Sequence, residues 1–438
     1  MNSQKNKPTF IIKTVGCKVN QYESELMREN LLNVGFFESE IRDIADLYII
    51  NSCTVTHKAD RDTRRLVRHF YRMNPNAEIV VCGCYAELDE DRKRLAELPG
   101  VSFLIRNNEK ENIAEIISSG TMHKVSKKIS GLETFKGRDR AFVKIQDGCN
   151  HHCSYCKVSL VRGPSVSKSE MQVLEEVRRL VEAGYKEIVL TGVCVGAWGR
   201  DLKQPLSLDF LVRKICAIST EFRVRISSIE PLYVTDDLIN AVSELPNACN
   251  HFHIPLQSGD DKILRLMNRP YNTKQFLLLR RRIEKKIPRF GLTTDVMIGF
   301  PGEDERSFKR TLNFIKKVAP IRIHIFTYSK REGTMASRMP AMNDIVVLKR
   351  RKDRMQALWH SLNRRYAERL RGKRVDVVVE STRDKLTDYL AGYTGTYLRV
   401  LFDGPDEACG TLLAATITDV SKKGIFVSPP NLDKGPSL

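Results

Sequence analysis

No apolar run in these 438 residues approaches the roughly 20 that a membrane helix needs. The N-terminal MNSQKNKPTF lacks the apolar stretch behind a basic start that marks a signal peptide. Both absences lead to the expectation of a cytoplasmic chain without a membrane partner. There is no internal repeat and no low-complexity tract, and with 42% hydrophobic and 29% charged residues disorder is not the default. Tryptophan is scarce, with two residues, whereas cysteine is not, with eleven. An odd number of thiols in a reducing compartment does not read as a disulfide framework, so some of them are expected to bind metal. Acidic residues are the other shortage. Fifty-three Asp and Glu against 72 Lys and Arg give a net charge of +19, which argues for a polyanionic partner such as nucleic acid.

The length fits two or three domains. Residues 7–120 alternate short apolar runs (TFIIKTV, DLYIIN, EIVVCG) with helical patterns, a βαβα rhythm that predicts a parallel sheet. The polar segment 120–138 suits a linker. In the second domain, 135–368, the strand-like runs AFVKIQ, KEIVLTG, FRVRISS, HFHIPLQ, LTTDVMIGF and IRIHIFTYS read as a partial (β/α)6 barrel, with its chemistry at the carboxyl ends of the strands. A basic helical stretch from Lys349 to Arg374 leads to a third domain, 371–431. Its runs VDVVVES, GYTGTYLRVLF, GTLLAATITDV and GIFVS predict a small antiparallel barrel. The fold class is α/β with a β-barrel appended.

GCNHHCSYC follows the first barrel strand. The CxxxCxxC spacing of Cys149, Cys153 and Cys156 lets three thiolates hold three irons of a cubane [4Fe-4S] cluster while the fourth iron stays open. A zinc site would close its shell with a further ligand, for which His151 or His152 is available. Cys17, Cys53 and Cys84 each follow a predicted parallel strand, and loops at one sheet edge converge, so these three thiolates are expected to meet around a second metal centre. Cys82 competes with Cys84, which is preferred because it lies beyond Gly83 in the turn. Three buried apolar cysteines are the plainer alternative. Cys194, Cys216, Cys249 and Cys409 have no partners at metal spacing. For a cofactor pocket the candidates are Tyr155, Gly192, Ser228, Glu230, Gln257 and Asp295, at strand ends or in the loops that follow.

GCKVNQYESE, NSCTVT, GCYAE, KIQDGCNHHCSYC, RISSIEP, HIPLQSGDDKILRLMNRPY, TTDVMIGFPGE and YSKREGTMASRMP together resemble the methylthiotransferases of the radical S-adenosylmethionine superfamily over nearly the full chain. GCKVN, RISSIE and YSKREGT look most like the branch that acts on N6-threonylcarbamoyladenosine beside the tRNA anticodon. The resemblance implies two [4Fe-4S] clusters. The one on Cys149, Cys153 and Cys156 would cleave S-adenosylmethionine to a radical, and the one on Cys17, Cys53 and Cys84 would carry the transferred sulfur. It implies two S-adenosylmethionine per turnover, tRNA as partner, and an electron donor such as flavodoxin or ferredoxin. The small barrel resembles the RNA-binding TRAM domain, whose Tyr389, Tyr393, Tyr397 and Phe402 would stack on bases while the basic helix tracks phosphates. The alternatives are methylthiolation of isopentenyladenosine or of a ribosomal-protein aspartate and, in another class, a nucleic-acid-binding protein with structural metal only. Lys157 and Ser159 depart from the family where relatives carry an apolar residue and proline ahead of Arg162-Gly163. Cys194 and Trp198 vary the loop GVCVGAWGRD.

Overall fold

The computed structural model describes residues 8–40, 43–118, 131–340 and 344–428, so the expected linker lies outside the described residues as far as 130. The chain forms two compact units. One comprises the described residues up to Thr134 together with Asp147–Val166 and Ser329–Ser337, and the other holds Phe135–Gln146, Ser167–Tyr328 and the chain from Arg338 onward. Among the described residues no helix is long and apolar enough to cross a membrane.

The first unit is built on five parallel strands: β1 (Thr9–Thr14), β2 (Phe37–Glu38), β3 (Leu47–Ser52), β4 (Glu78–Gly83) and β5 (Val101–Ile105), in the order β2-β1-β3-β4-β5. Every residue of β3 is buried, as expected of a central parallel strand covered on both faces. Apolar side chains of β1, β3 and β4 feed two cores, one around Phe10, Met27 and Ile49 and the other around Tyr48, Phe70 and Val81. Helix Lys18–Asn33 begins directly after Cys17. Helix His57–Met73 begins behind Thr56, whose hydroxyl accepts the Ala59 N–H at its N-terminus.

The second unit continues with β6 (Ala141–Asp147), β7 (Val166–Ser167), β8 (Glu187–Gly192), β9 (Arg223–Ile226), β10 (His251–His253), β11 (Gly291–Ile298) and β12 (Arg322–Thr327). The ladders run β7-β6-β8-β9 and β10-β11-β12, and the parallel bridges Val224↔Ala248 and Ser228↔His253 join them. All six expected barrel strands are present, interleaved with helices, and β7 is an addition too short to leave a pattern.

The remaining strands β13 (Arg374–Glu380), β14 (Leu390–Thr394), β15 (Arg399–Phe402), β16 (Leu412–Val420) and β17 (Ile425–Ser428) close a barrel in the order β13-β14-β15-β17-β16. GYTGTYLRVLF is two strands rather than one, because a turn closed by Thr394 and Leu398, with Tyr397 at φ +71°, divides it.

The aromatics expected to stack on bases are largely spent inside the protein. Tyr397 stacks on Tyr393 and on His251, and its ring lies under the guanidinium of Arg225 (4.9 Å). Phe402 is buried, and Tyr389 packs edge-on against Phe426. Below these rings the small barrel is fastened to β8 and β9. Arg223 and Arg225 grip the buried Glu187 at 2.6 and 2.8 Å and donate their other N–H groups to the carbonyls of Asp376, Tyr393, Thr394 and Gly395. Gly291 opens β11 there because a Cβ would lie 1.9 Å from the Thr396 carbonyl oxygen. The basic helix is also part of the scaffold. Helix Ile345–Glu368 packs on β12 with Arg351 buried against Glu303 at 2.6 Å, leaving Lys349, Arg350, Lys352, Arg364 and Arg365 exposed.

Burial alone would favour a neutral Glu187, but the charges of Arg225 and Arg223 outweigh it and hold the carboxyl well below the usual carboxylate range. Glu187→Gln is expected to lower stability by about 3–5 kcal/mol in urea unfolding, because buried arginines lose their counter-charge. A depressed carboxyl contributes stability above its unfolded-state pKa and loses it as pH falls through the folded-state value. The gap between wild type and variant is therefore expected to narrow only in strong acid.

Candidate metal and cofactor sites

Three loops at the carboxyl edge of the first sheet deliver the first set of thiols. Cys17 stands at the N-terminus of helix Lys18–Asn33, Cys53 directly follows β3, and Cys84 directly follows β4. They lie close enough to interact. Burial pushes the Cys53 thiol up to about 12; the Val55 N–H opposes that shift, while the sulfurs of Cys84 and Cys17 add to it. Gly16 leaves room for the approach, because at φ +111° a Cβ there would lie 2.9 Å from the Cys53 sulfur. Cys82 instead points into the apolar core, 3.9 Å from the Met27 sulfur, and burial pushes its thiol up to about 12 as well. Thiols raised in this way take up metal only by giving up protons.

The second set lies in the same unit. Cys149 has its N–H on the Gly163 carbonyl (3.0 Å), and the Cys156 N–H donates to the Cys153 carbonyl in a tight turn. The Cys149 sulfur accepts the His151 N–H and the Cys156 sulfur accepts the Val158 N–H, both at 3.4 Å. Backbone donors aimed at sulfur are what a ligating thiolate needs around it. Tyr155 lies within this loop, and the Ser154 carbonyl accepts the Ala336 N–H at 2.7 Å.

Three buried ion pairs fasten segments 147–166 and 329–337 to the sheet domain, and sequence reasoning missed all of them. Lys157 meets Asp91 at 2.7 Å and Arg331 meets Asp60 at 2.7 Å. Arg162 spends all five of its N–H donors: Nε on the Cys84 sulfur (3.2 Å), Nη1 on Glu23 and Asp147 (2.8 and 2.9 Å), and Nη2 on Asn20 and Glu23 (2.7 and 3.1 Å). Burial works against its charge, but Glu23, Cys84 and Asp147 hold the guanidinium far above its ordinary pKa. A fixed cation thus touches a sulfur of one thiol set from the helix that directly follows the other. Lys157, a departure from the family pattern by sequence, is the Asp91 partner. The signals were faint: a basic residue one and six positions after the last cysteine, and an arginine inside YSKREGT.

These donor sets fit iron–sulfur clusters. Each offers three cysteines, with backbone or guanidinium donors on the sulfurs, and the first has a glycine cradle.

The other pocket candidates belong to the second unit. The bridge Ser228↔His253 and the bridge Gln257↔Val296, with the Gln257 N–H on the Asp295 carbonyl (2.8 Å), place Ser228 and Gln257 just beyond β9 and β10, while Asp295, expected at a strand end, lies in the middle of β11. Gln257 sits there at φ +65°. Glu230 is drawn off by an ion pair with Arg269, which also holds the Tyr271 hydroxyl at 3.0 Å. Gly192 pairs with Gln146, whose side-chain oxygen accepts the Cys194 N–H at 2.7 Å. Trp198 is buried with its indole N–H on the Lys168 carbonyl, and Cys194 is buried as well. Cys216 and Cys249 are buried, and the Cys409 sulfur lies 3.8 Å from the Glu380 carbonyl.

Residues 143–315 match the Radical SAM superfamily, and residues 9–105 match a family described as "Uncharacterized protein family UPF0004". Threonylcarbamoyladenosine tRNA methylthiotransferase MtaB of Bacillus subtilis (strain 168) is 33% identical over 423 residues, covering 93% of each chain. The tRNA-2-methylthio-N(6)-dimethylallyladenosine synthase of Clostridium tetani is 32% identical over 440 residues, covering 95% of this chain and 96% of its own. Among solved structures, the radical S-adenosylmethionine methyltransferase TsrM from Kitasatospora setae superposes with a TM-score of 0.52 at 10% identity, over 73% of this chain and 75% of that one. This is a likeness of fold.

Proposed function

Since this chain belongs to the family of radical S-adenosylmethionine tRNA methylthiotransferases, we propose that it replaces the hydrogen on carbon 2 of N6-threonylcarbamoyladenosine, next to the tRNA anticodon, with a methylthio group. In this reading it holds two [4Fe-4S] clusters and uses two S-adenosylmethionine per turnover. The observation that carries the proposal is the pair of cysteine sets in one unit, with Arg162 running from the CxxxCxxC loop to the Cys84 sulfur. When bound, the two clusters and S-adenosylmethionine supply the radical and the sulfur. Cys149, Cys153 and Cys156 hold one cluster, and Cys17, Cys53 and Cys84 hold the other. Arg162 offsets negative charge at Cys84, while Lys157–Asp91 and Arg331–Asp60 keep the loops in register. In the first unit Tyr155 is the proposed residue beside Cys156, and in the second unit Gly192, Ser228, Gln257 and Asp295 are the residues proposed for the cofactor. Glu230 acts there only through Arg269.

GCKVN, RISSIE and YSKREGT favour the threonylcarbamoyl substrate over the isopentenyl one. tRNA is met by the exposed basic residues, among them Lys349, Arg350, Arg364 and Arg365, rather than by Tyr393 and Tyr397. The reaction belongs in the cytoplasm, with flavodoxin or ferredoxin as the class of electron donor.

The test is chemical. Anaerobically prepared protein is expected to carry about eight iron and about eight acid-labile sulfide per chain, and zinc in their place refutes the proposal. Gly16→Ala, whose Cβ would press on Cys53, is expected to lower both counts to about four by removing only the first cluster.

A further inference from the structure

Beside Asp295, three histidines and a threonine that have no part in the reading above meet on one face of the β10-β11-β12 sheet. Asp295 and His324 are register partners, and His253 lies opposite Thr293 two residues earlier. Oδ1 of Asp295 is 3.1 Å from both His253 Nε2 and His324 Nδ1, and the two imidazoles stack at 5.1 Å. The network continues inward. Thr293 Oγ1 is 2.8 Å from His253 Nδ1 and 2.9 Å from His251 Nε2, and His251 is the ring that Tyr397 covers.

Two donors of this network follow from the carboxylate. A carboxylate only accepts, so His253 Nε2 and His324 Nδ1 both donate to Asp295. The Thr293 hydroxyl lies within hydrogen-bond distance of both His253 Nδ1 and His251 Nε2 and links the two rings. Burial disfavours charge on Asp295, yet His253 and then His324 hold its carboxyl below the usual range. The network therefore fixes the His324 ring and consumes Nδ1. What remains is Nε2, on a side chain 38% exposed. Among the described residues Nε2 makes no hydrogen bond.

We propose that His324 Nε2 is a binding group for the polar, carboxylate- and hydroxyl-bearing side chain of the substrate adenosine, and that it selects this side chain against an apolar one. The inference rests on the tRNA methylthiotransferase reading above. A fixed imidazole nitrogen accepts a hydroxyl proton when neutral and donates to a carboxylate when protonated, and the Asp295 charge stays on the far side of the ring. An apolar prenyl group in the same place would cover Nε2 and leave it unpaired, which costs binding.

Reconstituted wild type, His324→Phe and His324→Gln are compared on tRNAs that carry threonylcarbamoyladenosine or isopentenyladenosine at the same position, with folding checked by circular dichroism. Phenylalanine keeps the ring and its stack but has no nitrogen, and glutamine keeps a hydrogen-bonding end. His324→Phe is expected to lower kcat/KM for the threonylcarbamoyl tRNA about 10- to 100-fold, mainly through KM, and to narrow the ratio between the two tRNAs. His324→Gln is expected to restore much of that ratio. An unchanged ratio in His324→Phe overturns the proposal. So does one zinc ion bound by wild-type protein and lost in His324→Phe, because His253, Asp295 and His324 would then be ligands of a metal. If wild type modifies neither tRNA, the methylthiotransferase reading itself fails, a result seen before any variant is compared.

Discussion

Cys153→Ala is expected to reduce 5′-deoxyadenosine formation to background when the protein is given S-adenosylmethionine and a strong reductant. Cys153 is the middle cysteine of the CxxxCxxC loop. The Cys149 and Cys156 sulfurs each accept a backbone N–H, and the Cys153 carbonyl closes the turn that positions Cys156. Alanine keeps that turn and removes only a sulfur. The loss is therefore one of ligation rather than folding, and two thiolates do not hold a cubane in a reactive state. Liquid chromatography of the reaction mixture measures the product, and the iron content shows whether the other cluster survives. Cleavage at the wild-type rate would mean that these cysteines do not hold the cluster at which S-adenosylmethionine is cleaved.

Cys53→Ala is expected to abolish the methylthio product while S-adenosylmethionine cleavage continues. Cys53 directly follows the fully buried strand β3. Arg162 is the connection to watch, since it bonds Cys84 from the helix that follows Cys156. Its four other N–H donors are all taken by Glu23, Asp147 and Asn20, so loss of one cluster leaves it held in place. Parallel assay of 5′-deoxyadenosine and methylthiolated nucleoside separates the roles. If both vanish with four irons still bound, the division of labour between the two cysteine sets is wrong.

Much of this was legible because parallel strands announce themselves. TFIIKTV, DLYIIN and EIVVCG are apolar runs ending in a cysteine-bearing turn, and the sheet edge collects those turns. The choice of Cys84 over Cys82 rests on the same geometry, since an in-strand thiol faces the core. What escaped was pairing across long sequence distances. Nothing local says that Lys157 meets Asp91 or that Arg162 reaches Glu23, 139 residues away. β2 was too short, and β5 too irregular in burial, to show a period. His324 sat unnoticed in IRIHIFTYS because its meaning comes from Asp295 on the neighbouring strand. The tyrosines of the small barrel had an expected place on RNA, yet Tyr393 and Tyr397 pack against Arg140, Arg225 and His251. A truncation after Gly372 would therefore strip the carbonyl partners from Arg223 and Arg225 as well as any RNA-binding surface. It does not isolate docking from stability.

The most direct test of the central claim is mass spectrometry of the nucleosides of a tRNA that carries threonylcarbamoyladenosine, after incubation with anaerobically reconstituted protein, S-adenosylmethionine and reductant. The expected result is one new nucleoside, heavier by a methylthio group in place of one hydrogen, absent from reactions of the Cys53→Ala protein. An unmodified tRNA, with both clusters loaded and S-adenosylmethionine still cleaved, would contradict the account.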